Sequence, residues 1–304
     1  MCGIVGLYLK NPDMRVRLGA YFSPMLEQMT DRGPDSAGVA IYRDTAVGEA
    51  AGQAKVTLYD SDLHFDWDGI AAEAERDLGV EVSVEQISSH AILRAAVDAA
   101  ALRRWVEANR PELRIMSSGN SLEIYKEVGL PADVLLRFGV PQVTGSHAIG
   151  HTRMATESAV TTEGAHPFNT GDDLCLVHNG SLSNHHRLRD WLRDHANIKF
   201  QTENDSEVAA GYLTWRLEQG ATITEALEAA LSDLDGFYTF AVGTRDGFSV
   251  LRDPIACKPA IMAETDDWVA MATEYRAIAH LPGADAAEIW EPEPHKIYTW
   301  GSVH

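Results

Sequence analysis

Gly3 to Leu9 is an unbroken apolar run, short enough for a buried strand that starts almost at the terminus. Met14 to Met29 carries apolar residues at helical spacing and stops at Thr30-Asp31-Arg32-Gly33-Pro34, a stop signal followed by a turn. Val39 to Tyr42 reads as a second strand. From about Thr45 to Ser146 the character changes. Ser83 to Arg110 predicts a helix with Ser83 as N-cap, because Ala, Leu and Ile recur at helical spacing. Asn120 to Phe138 predicts another, interrupted near Gly129-Leu130-Pro131.

Strand character returns at Ala148 to Met154 and at Leu174 to His178, and Asn184 to His195 and Asp205 to Glu218 read as helices. Phe237 to Val242 and Phe248 to Leu251 flank an Asp246-Gly247 pair, a hairpin signal. Val269 to Ala272 is one more short strand. The sum is an α+β chain rich in antiparallel pairs, not a repeated βαβ wind.

The 304 residues suit one large domain or two small ones, and 45% hydrophobic residues supply a sizeable core. A net charge of −20 argues against nucleic acid and anionic membranes as partners, since phosphate neutralisation needs clustered Lys and Arg. No apolar run approaches the ~18 residues that cross a bilayer. Met1-Cys2-Gly3-Ile4 has no basic leader, and three cysteines without paired spacing fit a reducing cytoplasm. Cys175 and Cys257 read as core thiols, and His185-His186 as solvent-exposed. No Cys or His grouping has metal-ligand spacing, and there is no Gly-rich phosphate loop.

Cysteine at position 2 adds chemistry. Removal of Met1, which is readiest before a small side chain, would leave Cys2 with a thiol and a free α-amine on one residue. A thiol reacts as thiolate and has a pKa of about 8.5; an α-amine titrates at about 7.7–8.0. Near neutrality the amine can take the thiol proton and later return it to a leaving amine. Met-Cys alone is more often incidental, so the rest of the chain must carry the case.

Six segments occur in one order: Cys2-Gly3-Ile4-Val5-Gly6; Arg32-Gly33-Pro34-Asp35-Ser36-Ala37-Gly38; Gly150-His151-Thr152-Arg153-Met154-Ala155-Thr156; Gly164-Ala165-His166-Pro167-Phe168; Val177-His178-Asn179-Gly180; and Thr202-Glu203-Asn204-Asp205-Ser206-Glu207-Val208. Together they resemble the class II, or N-terminal-nucleophile, glutamine amidotransferases, and cover most of the chain outside Thr45 to Ser146. The resemblance implies a four-layer α/β/β/α sandwich of two antiparallel sheets. It places one such domain over residues 1–304, with a mostly helical insertion within 45–146.

The resemblance also distributes roles, each of which the residue type suits. Cys2 is the nucleophile. Asn179 and Gly180 form the oxyanion hole, through a side-chain NH2 and a backbone N–H with no Cβ in the way; an Asn-Gly turn is the alternative. Arg153 takes the glutamine α-carboxylate, which a guanidinium pairs bidentately. Asp205 takes the α-ammonium, or caps a helix, or both. Thr156 and His166 match pocket-lining positions, His166 equally suiting a buried structural role. Arg32 either positions Cys2 and lowers its thiol pKa or ties the Gly33-Pro34 turn.

Enzymes of this kind pass ammonia to a second site, and this chain encodes no second catalytic domain. Gly150 to Ser158, Leu234 to Phe240 and Arg252 to Pro259 look most like the stand-alone amidotransferase subunits of N-methylglutamate synthases, relatives of glutamate synthase divided into separate chains. That likeness implies L-glutamine as substrate and no cofactor on this chain. It implies partner subunits that carry flavin (FMN) and an iron–sulfur cluster. Other readings are a subunit of a different glutamate-synthase-like complex, or a non-catalytic partner if Met1 is retained. The Thr45 to Ser146 stretch is either decoration or a docking surface.

Overall fold

The computed structural model describes residues 2–43, 52–155 and 160–301. In chain order it forms β1 (Gly3–Leu9), α1 (Leu18–Glu27), β2 (Ser36–Tyr42), β3 (Ala54–Tyr59), α2 (Trp67–Leu78), β4 (Val82–Ile87), β5 (His90–Ala95), α3 (Ala99–Asn109), β6 (Arg114–Gly119), β7 (Leu122–Val128) and α4 (Pro131–Arg137). Then follow β8 (His147–Arg153), β9 (Cys175–Leu182), α5 (His185–Ala196), α6 (Asp205–Glu218), α7 (Ile223–Asp233), β10 (Gly236–Thr244), β11 (Gly247–Arg252), β12 (Ile261–Glu264), β13 (Trp268–Ala272), β14 (Glu288–Trp290) and β15 (Ile297–Gly301).

Alternation along the strands decides the layers. In β1, Val5, Leu7 and Leu9 pack with Phe22, Met25 and Leu26 of α1, while Ile4 faces the other way. The large sheet runs β14-β12-β13-β1-β8-β2-β7 and the smaller one β15-β11-β10-β9. Ile4, Tyr42, Ile124 and Ile149 of the first meet Val177, Ala241, Phe248 and Val250 of the second in a buried layer. Full burial of each aliphatic side chain there contributes roughly 1.5–3 kcal/mol. On the outer face of the smaller sheet, Tyr238, Phe240 and Val242 pack against Val208, Leu213 and Leu227 of α6 and α7. The result is the expected α/β/β/α sandwich. Gly6 sits where it does because a Cβ would stand 2.6 Å from the Phe248 ring, across the sandwich.

The 45–146 stretch corrects the expectation of a mostly helical insertion. It contains a third antiparallel sheet, β4-β5-β3-β6, with α2 and α3 packed on it around a core of its own. Ser83 to Arg110 is not one helix: β4 and β5 form a hairpin closed at Ser88 (φ 58°), and only Ala99–Asn109 is helical. A short apolar run satisfies helical and strand spacing alike, and pairing of β5 with β3 decides it. Asn120 to Phe138 likewise divides at Gly129-Leu130-Pro131 into β7, which closes the large sheet beside β2, and α4.

Two buried carboxylates lock this module to the body. Glu123 of β7 accepts from Lys55 of β3 at 3.1 Å and from Arg43 at 3.0 Å. Burial pushes its carboxyl up, but Lys55, Arg43 and Arg94 together hold it below its ordinary value. Asp173 accepts the backbone N–H groups of Asn120, Ser121 and Leu122, all within 3.0 Å.

Candidate active site

A cleft of about 880 Å³ gathers Cys2, Arg153, His166, Asn179, Gly180 and Asp205. They arrive on different parts of the sandwich, with Asn179 and Gly180 together on β9.

Cys2 directly precedes β1, which is paired on both sides from its first residues: Gly3 lies opposite Thr152 of β8, and Val5 opposite Ala272 of β13. Gly3 has no room for a side chain, since a Cβ would stand 2.7 Å from Met29 Cβ and 2.8 Å from Thr152 Oγ1. Ile4 N–H donates to Thr273 Oγ1 at 2.8 Å, and Thr273 N–H returns a bond to Ile4 O at 2.9 Å. The residue before Gly3 is therefore fixed at the end of the large sheet, and Cys2 is half-buried there.

Arg153 ends β8 in the same row. Its backbone carbonyl accepts from Asp35 N–H at 3.1 Å, and the Asp35 carboxylate accepts Ala155 N–H at 2.8 Å, which clamps the strand end. The guanidinium is nearly buried and passes close to Gly164 on the facing loop. That loop is held by a buried lysine. Lys126 Nζ donates to the carbonyls of Glu163 (3.1 Å), Ala165 (2.8 Å) and Pro167 (3.2 Å). Burial brings Lys126 down to about 8, with Glu207 and Glu163 opposing.

β9 supplies the remaining donors, and its position explains them. It is an edge strand. Opposite Gly180, Tyr238 turns both N–H and C=O toward Asp253, so the Gly180–Tyr238 pair is a non-hydrogen-bonded one. Leu176, His178, Gly180 and Leu182 therefore direct their backbone groups off the edge. Leu176 exchanges bonds with Phe168. His178 N–H donates to His166 Nδ1 at 3.4 Å, and its carbonyl accepts from His151 Nε2–H at 3.2 Å. Leu182 N–H goes to Asp205 Oδ2 at 2.9 Å. Gly180 N–H alone in this row has no partner among the described residues, and it belongs to the cleft. Gly180 also needs to be glycine: φ is +151°, and a Cβ would stand 2.0 Å from Phe237 O. Its neighbour Asn179 points the other way, and its Nδ2 donates to Cys2 O at 3.3 Å.

Asp205 opens α6, but the cap is Asn204, whose side chain accepts from Ser206 N–H at 2.9 Å. Burial alone would raise the Asp205 carboxyl; hydrogen bonding and charge from His178 and the Leu182 N–H outweigh it and bring it down to about 2. The loop before α6 rests on Glu207, which accepts from Gln201 N–H, Thr202 N–H and Thr202 Oγ.

Arg32 sits at the Gly33-Pro34 turn. Its Nε pairs with Glu274, which also holds Arg276. Thr156 lies outside the described residues. Cys175 is a core thiol, pushed up to about 12 by burial, whereas Cys257 is exposed, contrary to expectation. His185 is half-buried at the cleft with Nδ1 on Leu182 O, and only His186 is exposed.

Sequence reasoning did not single out His151 and His178. Burial holds His151 neutral, at about 3, and His166 well below its ordinary value, so both stay uncharged beside β9. Both stand inside quoted segments, His151 two residues before Arg153 and His178 next to Asn179, but nothing in the sequence shows what each ring nitrogen meets.

The sandwich with a cysteine leading a central strand is the fold expected of N-terminal-nucleophile hydrolases. Residues 151–280 match the glutamine amidotransferase domain family. Over 305 aligned residues the chain is 56% identical to the glutamine amidotransferase-like protein GlxB of Rhizobium meliloti, across 99% of this chain and 98% of that protein. It is 29% identical over 184 residues to the amidophosphoribosyltransferase of Methanocaldococcus jannaschii, which covers 60% of this chain and 38% of that one. The glutamine phosphoribosylpyrophosphate amidotransferase of B. subtilis shares the fold, with a TM-score of 0.59 at 20% identity over 99% of this chain and 47% of that chain. The chain belongs to the glutamine amidotransferase family, and it is an enzyme of that kind.

Proposed function

We propose that this chain hydrolyses L-glutamine through a thioester on Cys2, once Met1 has been removed. The observation that carries the reading is the Gly180 N–H, which has no partner among the described residues, on the strand whose Asn179 amide reaches Cys2 O, inside a cleft shared with Arg153 and Asp205. The Cys2 α-amine takes the thiol proton and sulfur attacks the side-chain carbonyl carbon. Asn179 Nδ2–H and Gly180 N–H meet the oxyanion that forms. Collapse breaks the C–N bond, and the α-ammonium returns the proton to the departing ammonia. Water then attacks the thioester, releasing glutamate and restoring the thiol. Arg153 and Asp205 select an amino acid with both α-groups free.

Ammonia release from glutamine, but not from asparagine or simple amides, tests the substrate. The intact mass of the mature chain tests the terminus. Retained methionine would remove the α-amine from Cys2 and overturn the mechanism.

The acceptor belongs to a partner. The Arg252 to Pro259 segment favours a complex of the N-methylglutamate synthase kind, in which glutamate-synthase-like subunits carry FMN and an iron–sulfur cluster. A cytoplasmic setting fits the three unpaired cysteines, and no helix among the described residues is long and apolar enough to cross a membrane. Affinity purification from the native host with mass spectrometry of the companions is the test. A lone monomer with full activity would count against the complex.

A further inference from the structure

The mechanism above gives no task to His178, which lines the cleft. His178 is 3% exposed and its imidazole stands between the two halves of the glutamine site. On one corner, Nδ1 lies 2.9 Å from Ser206 Oγ and 3.7 Å from Asp205 Oδ1, while Ser206 Oγ lies 3.3 Å from the same carboxylate oxygen. The serine has one proton. Given to Asp205, which is ionised, it leaves Ser206 Oγ to accept from His178 Nδ1–H. The chain of donors then runs His178, Ser206, Asp205, with Ser206 Oγ both accepting and donating. On the opposite corner, Nε2 is buried and has no hydrogen-bond partner among the described residues. It packs against Gly180, where an added Cβ would stand 2.9 Å from it. His178 and Gly180 are two apart on β9, so they share a face, and the ring fills the space that a side chain at Gly180 would need. The Phe240 ring, edge-on at 5.2 Å, closes the third side.

We propose that His178 is a positioning residue that couples ammonium recognition to the oxyanion hole. Its Nδ1 corner orients the Ser206–Asp205 pair, and its Nε2 corner supports the backbone of Gly180. The inference rests on the proposed glutaminase reading and deepens it. Two amide side chains separate the corners. Asn places its nitrogen near the Nδ1 position, and Gln places its own near Nε2.

Steady-state glutamine hydrolysis by the full-length chain reads both corners. His178→Asn keeps the Ser206 bond and removes the support under Gly180, so kcat should fall about tenfold or more with KM near wild type. His178→Gln keeps that support and loses the Ser206 bond, so KM should rise about tenfold with a smaller change in kcat. Ser206→Ala, which leaves the ring in place, should reproduce the KM effect alone. Equal loss of kcat and KM in both histidine variants, or wild-type KM in Ser206→Ala, would overturn the proposal while leaving the glutaminase reading intact. A wild-type chain that releases no ammonia from glutamine would remove both.

Discussion

The side-chain amide of Asn179 donates to the carbonyl oxygen of Cys2 across 3.3 Å. One amide proton thus holds the backbone of the proposed nucleophile, and the second is left for the oxyanion. Asn179→Ala removes both. We expect kcat to fall by roughly 10²–10³, with KM affected less, by analogy with loss of a single oxyanion donor. An unchanged kcat would separate Asn179 from the chemistry.

Cys2→Ala keeps the α-amine and removes the sulfur. Ammonia release should vanish while thermal unfolding stays near that of wild type, because Cys2 precedes the first paired residue of β1. Retained hydrolysis would show that another group attacks.

Arg153→Lys keeps the charge but loses the planar fork. At a nearly buried position that change is not conservative. KM for glutamine should rise about tenfold or more with a smaller change in kcat, measured against saturating glutamine. Equal loss in both parameters would point to a structural role at the end of β8.

Gly180→Ala and Gly220→Ala both place a Cβ at positive φ, +151° and +87°. At Gly220 the Cβ meets nothing within 4 Å, whereas at Gly180 it stands 2.0 Å from Phe237 O. We expect the first variant to lose activity together with more than about 2 kcal/mol of stability, and the second to lose about 1 kcal/mol and no activity. Chemical denaturation with a parallel ammonia assay distinguishes them.

Four buried histidines make stability fall in mild acid. His90, His147 and His151 are brought down to about 3 by burial, and His166 well below its ordinary value. In the unfolded chain each takes a proton near pH 6.5, so the unfolded state binds more protons below that pH. Stability is therefore complete above about pH 6.5 and declines as pH falls, by about 1.4 kcal/mol per pH unit for each histidine, down to about pH 3 for His90, His147 and His151. Melting temperatures recorded between pH 7.5 and 4.5 should drop steeply. A flat profile would mean that these rings are protonated in the folded chain.

Much of the fold was legible because its signals are local. Gly3 to Leu9 is a strand over the range its apolar run marks, and Asp246-Gly247 closes the β10–β11 hairpin. The Ser83 to Arg110 stretch misled because Ala91, Ile92 and Leu93 satisfy two periods, and only their pairing with β3 chooses between them. The cleft residues Cys2, Arg153, Asn179, Gly180 and Asp205 were nameable from ordered segments. His151 and His178 were not, since an imidazole's task depends on what tertiary structure sets beside each nitrogen. Lys126 was equally hidden, because its partners are three carbonyls from a loop remote in sequence.

A sheet margin normally invites another polypeptide to add itself as one more strand. Along β9 that invitation is withdrawn at Leu176, His178 and Leu182, where Phe168, two imidazoles and a carboxylate already occupy the backbone. What stays open is one N–H wide, suited to a small molecule and too narrow to template a ribbon. Strand addition is therefore closed off along β9, and the same arrangement leaves the Gly180 donor facing the cleft.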